Sequence, residues 1–356
     1  MYSREITEPP AQLIINGRPV FGTFSGITKQ LDIKGVSAPF AGFSLLPIFT
    51  RLRIRARLLY LFSFGDYLGS IEIFDNKILN MADIILWNKK TNKKYEYHKF
   101  FGVRQKFVPK NLEKAICFTP SKKFHVRLGW DQKKDRFSIV VELKSHRETP
   151  TLTLSFLSHF SDDESNQLIS VKPAPTMRRC SATWYVSSNF CGNLGLVDKN
   201  NHVKDFIQGS NGTSLLFVNR AYYKTITKGE NISAAGKIND KSVTLRLSTT
   251  SLDAVDTNKY NDNVLFINGK LFTMPPVDIT HPFGINEEWV IQDLENMIDL
   301  TFKPSSISSK NLNLIAIRTE YNTIFGFING IILNQDGEKL VLKEFPAIVK
   351  KSMIRL

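Results

Sequence analysis

Cysteine is scarce in this chain: three in 356 residues, at Cys117, Cys180 and Cys191, an odd number without CxxC spacing. Neither a disulfide framework nor a structural zinc site is expected from that pattern. Histidine is also thin. No two of the six (His98, His125, His146, His159, His202, His281) lie three or four residues apart, so local spacing offers no metal site and none is expected. Nucleotide and hydrolase signatures are missing as well: there is no Walker-type phosphate loop, no GxGxxG between a strand and a helix, no HExxH and no GxSxG, and with them goes the expectation of a bound cofactor. The longest apolar window, Ala38–Phe49, is broken by Pro39, Gly42 and Pro47 and is too short to cross a bilayer as a helix. The opening residues carry Glu5, Glu8, Pro9 and Pro10 where a secretory signal needs an apolar core, so a cytoplasmic location is expected.

What is abundant is alternation. Hydrophobic residues make up 42% of the chain and phenylalanine alone supplies 26, a composition that suits many short strands. Asn16-Gly17 and Asn268-Gly269 sit between apolar segments (Leu13–Ile15 and Arg18–Phe24; Val264–Ile267 and Lys270–Met274), the signature of type I′ hairpins. Lys123–Trp130, Arg136–Leu143, Thr151–Leu157 and Lys241–Ser248 alternate apolar with polar residues, as half-buried strands do. Further strands are expected at Ser70–Phe74, Ala82–Trp87, Tyr95–Phe101, Cys180–Val186, Ser214–Arg220, Ile298–Phe302, Leu312–Thr319, Ile324–Leu333 and Lys339–Phe345. One weak helix is expected over Asn286–Met297. Such a chain is all-β, and its strands close most economically into barrels or sandwiches. The pattern lapses between Phe160 and Thr176, with prolines at 173 and 175. A boundary near residue 172 is expected, giving a basic N-terminal unit (1–172) and a second unit (173–356), each about the length of one closed antiparallel barrel.

Charge is uneven. Residues 1–172 hold 27 lysines and arginines against 16 acidic residues, whereas 173–356 hold 20 against 17. Such an excess draws anionic partners, so peripheral contact with an acidic membrane surface is one expectation. Nucleic acid is a poor one, because Tyr95 and Tyr97 beside Lys93, Lys94 and Lys99 only faintly resemble an aromatic and basic binding surface. Arg51, Arg53, Arg55 and Arg57 fall on alternate positions of one strand, so their guanidinium groups share a face. Together they could bind an anion. A solvated outer face is the plainer reading and is preferred unless the row turns inward, when the order reverses. Trp184, Tyr222, Tyr223 and Trp289, with Asn263 as a polar donor, are the candidates for lining a small-molecule pocket, although core packing and turn formation explain the same residue types. No carboxylate spacing singles out a catalytic acid or base.

Several phrases resemble an uncharacterised bacterial and protist family, domain-of-unknown-function family 2804. They are Asn263-Val-Leu-Phe-Ile-Asn-Gly-Lys-Leu271 with Pro275-Pro-Val277, Trp289, Asp299-Leu-Thr-Phe-Lys-Pro304, Ile324-Phe-Gly-Phe-Ile-Asn-Gly330 and Asp336-Gly-Glu338. The first half is similar more loosely, at Asn16-Gly17 and Lys99-Phe-Phe-Gly102. The resemblance implies two antiparallel lipocalin-like β-barrels, or strongly curved sheets, in tandem, related to carotenoid-hydratase-like and tocopherol-cyclase-like enzymes. It implies a hydrophobic or amphipathic small-molecule ligand of lipid or isoprenoid class, with a non-redox lyase, hydratase or cyclase as the alternative. Relatives tend to carry Arg-Gly with a nearby Trp-x-Trp. This chain instead has Arg220-Ala-Tyr-Tyr223 and Ile232-Ser-Ala-Ala-Gly236, so where tryptophans line a pocket in relatives that pocket is altered or lost here, and no catalytic residue carries over.

Overall fold

The computed structural model describes residues 2–40, 50, 53–77, 80–102, 107–146, 148–160, 166–174, 176–224, 226–249, 256–314 and 317–355, with side chains omitted for 312–319. The chain opens with β1 (Ile6–Thr7), a small hairpin of β2 (Ile14–Ile15) and β3 (Arg18–Pro19), and β4 (Gly22–Ser25). A meander follows: β5 (Ile54–Phe64), β6 (Tyr67–Asp75), β7 (Asn80–Asn88) and β8 (Lys94–Phe101). A second meander comprises β9 (Lys114–Phe118), β10 (Phe124–Asp131), β11 (Arg136–Leu143) and β12 (Thr151–Ser158). Then come β13 (Gln167–Pro173) and two long strands, β14 (Cys180–Val197) and β15 (Val203–Tyr222). The last third holds β16 (Ile226–Ile238), β17 (Lys241–Ser248), β18 (Val264–Ile267), β19 (Lys270–Thr273), β20 (Asp278–Thr280), β21 (Trp289–Gln292), β22 (Ile298–Leu314), β23 (Ile317–Leu333) and β24 (Lys339–Arg355).

These strands make two large sheets. The first runs β8-β7-β6-β5-β15-β14-β12-β11-β10-β9, with β13, β4 and β1 branching from β14; the second runs β19-β18-β17-β16-β24-β23-β22-β21-β20. All pairs are antiparallel except β1 with β4. Strand β14 makes the branch possible: Cys180–Val186 pairs with β13, and after a bulge near Phe190 the rest pairs with β12. Chain passes from the first sheet to the second between Tyr222 and Ile226. Residue 172 is therefore no sheet boundary, since β13, β14 and β15 all belong to the first sheet. The proline-bearing break around it reflects the end of β13 and a turn into β14.

Both expected type I′ turns are present, with positive φ at Asn16 (50°) and Gly17 (74°), and at Asn268 (49°) and Gly269 (82°). The helix expected over Asn286–Met297 is absent. Trp289 and Ile291 alternate as strand β21, and the Asp293 carboxylate accepts from the backbone N–H of Glu295, Met297 and Ile298 (2.8–3.0 Å), which fixes a turn. Acidic side chains that bond their own backbone favour turns over helix interiors. The strands expected at Ile298–Phe302 and Ile324–Leu333 are parts of the longer β22 and β23, and Leu312–Thr319 falls where these two meet.

Strand alternation gives each sheet two apolar faces. In β5 the even positions Ala56, Leu58, Tyr60, Phe62 and Phe64 face the concave core of the first sheet, where Phe62, Phe64, Phe156 and Phe190 meet with centroids 4.4–6.4 Å apart. The odd positions Leu59 and Leu61 join Trp87, Tyr185, Leu215 and Phe217 in a third core, completed by Ala235, Val264, Phe266, Phe325 and Ile348 of the second sheet. The second sheet's concave core is built by the alternate row, including Ile232, Ile324, Ala347 and Val349. Two half-barrels thus lie back to back on a shared apolar seam.

Candidate functional site

At the ends of this seam the apolar row gives way to charge. Continuing β5 backward from Leu59 on the same face brings Arg57, then Arg55. Arg57 Nε pairs with Glu72 Oε1 at 2.5 Å and one of its terminal nitrogens donates to the Tyr321 hydroxyl at 2.6 Å. Tyr321 and Lys350 of the second sheet both donate to Glu72 Oε2. Burial alone would raise the Glu72 pKa. The charges of Arg57 and Lys350, with those two hydrogen bonds, outweigh it and hold the carboxyl well below its usual range. Lys310 of the second sheet likewise reaches Asp83 of the first. Of the arginine row, Arg53 is half-buried in the turn before β5, and Arg55 and Arg57 are not on a solvated outer face. Arg55 is buried, Arg57 bridges the two sheets, and Arg51 lies outside the described residues.

A second buried network stands across the seam. Lys172 Nζ donates to Asp262 Oδ1 at 2.6 Å, and the Tyr185 hydroxyl donates to Asp262 Oδ2 at 3.4 Å. Arg246 donates to Asn231 Oδ1 (3.1 Å) and Ser233 Oγ (2.7 Å), with its guanidinium 4.1 Å from the Phe217 ring centre. Those acceptors are neutral. The Tyr185 hydroxyl also hydrogen-bonds with Arg246, which links the guanidinium to Asp262, and Arg246 is only 4% exposed.

Between these networks lies a cleft of about 130 Å³. Phe217, Ala221, Tyr222, Tyr223 and Ile354 give it apolar wall, and among its described lining residues Arg57, Lys172, Lys224, Lys228 and Arg246 are cationic while only Asp262 is anionic. Tyr223 packs on Phe74 with centroids 6.2 Å apart. Its phenol is pushed up by burial, against the opposing pull of Arg57, and so stays protonated at neutral pH.

The sequence-derived candidates divide. Tyr222 and Tyr223 line the cleft, as does Arg57. The Tyr222 hydroxyl donates to the Ile33 carbonyl at 3.2 Å. Trp184 lies in the first sheet's core, 5.5 Å from Trp130, and its indole N–H donates to Gln167. Trp289 lies in the second sheet's core against His281, donating to the Ile285 carbonyl. Asn263 ties strands together, accepting from Ser248 N–H and donating to the Pro275 carbonyl. Sequence reasoning missed Lys172, Arg246 and Asp262. The usable signal was Arg246 on the polar row of an alternating strand, a row that also carries Thr244 and Ser248.

Two strongly curved antiparallel sheets packed back to back, each with its own core, define an all-β protein of two half-barrels. The chain belongs to the domain of unknown function family DUF2804, whose model matches residues 3–355. Among solved structures, CghA with Sch210972 is similar at 9% identity and TM-score 0.48, over 85% of this chain and 88% of that one. CghA in a second structure gives 11% and 0.45, over 91% and 96%. Kievitone hydratase from Nectria haematococca gives 8% and 0.44, over 85% and 88%. No curated protein matches. Among the described residues no helix is long and apolar enough to cross a membrane.

Proposed function

We propose that this protein binds a small amphipathic molecule bearing an acidic group, with the acid held in the cleft between the half-barrels. The observation that carries this reading is the buried Arg246, whose hydrogen-bond acceptors Asn231 and Ser233 are neutral, on a wall where cations outnumber carboxylates. Keeping a cation out of water is costly unless an anion or a full set of dipoles compensates, and a bound carboxylate would take a planar two-point contact with the guanidinium. Phe217 and Tyr223 suit the apolar body of such a ligand, whereas the Tyr222 ring is turned into the first sheet's core against Phe40. A cavity near this volume holds roughly one benzene ring, so a longer tail would leave through the open mouth.

Paired probes test it. Isothermal titration with decanoate and decanol, and with benzoate and benzyl alcohol, is expected to give binding for the acid of at least one pair and much weaker binding for its alcohol. Arg246→Gln is expected to weaken the acid by about tenfold or more, or roughly 1.4 kcal/mol. Equal binding of acid and alcohol, or no binding by a folded protein, would overturn the reading.

A second reading, a non-redox lyase or hydratase, has one observation in its favour: Tyr223 is a protonated phenol on the cleft wall near Arg57. A phenol so placed can hydrogen-bond to an oxygen of a bound ligand, with Arg57 opposing the burial that holds its proton. Tyr223→Phe separates the two readings, since simple binding survives the loss of the hydroxyl and turnover does not.

A further inference from the structure

The cationic cleft owes its shape to small side chains. Sheets packed face to face stand about 10 Å apart, and large residues are needed to fill that spacing. Through the middle of the seam they do so, with Leu59, Phe217, Phe325 and Ile348 packed together. Beyond Phe217 the same row of β15 continues with Asn219 and Ala221, and the facing row of β16 runs from Ala235 back through Ser233 and Asn231 to Gly229. Ser181 of β14 is the cross-strand partner of Ala221, and Ser352 of β24 is the partner of Gly229. All four line the cleft. Each sheet thus presents a patch of two small residues, and the space between them is a slot.

The slot has a thickness. Carbon atoms in contact lie about 3.5–4.0 Å apart, so a flat ring between two walls needs about 7–8 Å from wall atom to wall atom. A sheet spacing of about 10 Å, less the one methyl group of Ala221, leaves room of that order. A puckered saturated ring is thicker and cannot lie flat on both walls. An alkyl chain could enter, but it gives up rotamer freedom there that a rigid ring never had. At the Phe217 end, the Arg246 guanidinium stands 4.1 Å from the Phe217 ring centre, so one of its faces is covered and an acid must meet its edge. A carboxylate conjugated to an aromatic ring lies in the plane of that ring, which makes a two-point contact with the guanidinium edge compatible with a ring lying along the wall.

We propose that the acid taken by this cleft is a planar aromatic carboxylate, its ring held flat between the Ala221–Ser181 pair of the first sheet and the Gly229–Ser352 pair of the second. The proposal rests on the reading of the cleft as an acid site, and narrows the ligand from amphipathic acids in general to flat aromatic ones.

Benzoate and cyclohexanecarboxylate carry the same charge on rings of equal atom count, one flat and one puckered. Isothermal titration of the full chain is expected to show benzoate binding at least tenfold more tightly than cyclohexanecarboxylate. Ala221→Leu fills the slot while leaving every charge in place, and is expected to weaken benzoate at least tenfold. Thermal melting establishes that this variant is folded; if it is not, Gly229→Ala takes its place with a loss in the same direction. Decanoate separates the failures. Binding by neither ring acid nor decanoate overturns the acid-site reading and this inference with it. Binding by decanoate without benzoate overturns the aromatic assignment alone, as does cyclohexanecarboxylate binding as tightly as benzoate or more so, or benzoate binding that persists undiminished in the folded slot variant.

Discussion

Replacing Glu72 with alanine is expected to cost roughly 3–5 kcal/mol of folding free energy, the range for removing one partner of a buried ion pair. The size follows from what is left behind. Arg57 comes from the first sheet, Lys350 and Tyr321 from the second, and one carboxylate answers all three. Without it two cations face each other across the seam. Urea denaturation of the variant and the wild-type protein measures the effect, and coincident midpoints would dismiss the account. Tyr321→Phe removes the donor to Glu72 and the acceptor of Arg57 but leaves all three charges in place, so a smaller loss of about 1–3 kcal/mol is expected. Acid titration adds an independent sign. The folded-state pKa of Glu72 lies below its unfolded value, so the stabilisation is full above the ordinary carboxylate range, near 4.3, and is lost as pH falls toward the folded value. The stability gap between wild-type protein and Glu72→Gln is therefore expected to narrow below about pH 4 and to be constant from there to neutrality. A gap that widened in acid would contradict the ionised carboxylate.

Gly330→Ala is the second large effect, expected at about 3 kcal/mol, the upper end for an added methyl group that has nowhere to go. A Cβ there would lie 2.1 Å from the Asp299 carbonyl oxygen, and the residue has φ 132°, which side chains disfavour. The reason is a bulge. Pairing between β23 and β24 shifts register between Ile328 and Gly330, and Asn329 Oδ1 accepts from Glu344 N–H at 2.8 Å opposite that shift. Gly326 is similar, with a Cβ placed 2.1 Å from the Lys303 carbonyl oxygen beside the Pro304 irregularity of β22. These are the two glycines of the phrase Ile324-Phe-Gly-Phe-Ile-Asn-Gly330, so the phrase that carries the family resemblance describes how two long strands bend. Gly337, at φ 79° with open space around it, serves as the contrast: its alanine variant pays only backbone strain, about 1 kcal/mol. Thermal melts of the three variants rank the effects, and equal losses at Gly330 and Gly337 would refute the steric argument.

Alternation in the sequence located most strands because period two survives whatever a sheet packs against. It could not say what each face meets. Leu59 and Leu61 share a row with Arg57, and only the arrival of the second sheet decides that this row is inside. Strand β13 escaped notice because Ser170 and Lys172 interrupt its apolar residues. They do so to meet the second sheet, where the Asn261 carbonyl accepts from Ser170 and Asp262 from Lys172. The proline-rich region that suggested a boundary near 172 is thus part of the contact between sheets. In the cleft, Tyr222 and Tyr223 were legible as adjacent aromatics. Asp262 was not, since a lone aspartate ahead of a strand carries no spacing that distinguishes a turn residue from a buried counter-ion. Trp184 and Trp289 misled for a related reason: a tryptophan in a strand looks the same whether it lines a ligand or fills a core.

The shared seam also governs what can be done with this molecule by genetic means. Severing the chain between Tyr222 and Ile226 would release two fragments whose outer faces carry Leu59, Phe217 and Trp87 on one piece and Phe266, Phe325 and Ile348 on the other, with Glu72 and Lys350 stranded on opposite pieces. Neither fragment is suited to life alone in water. Coexpressed, they would find each other through the same rows, which makes this junction a natural place to build a split reporter.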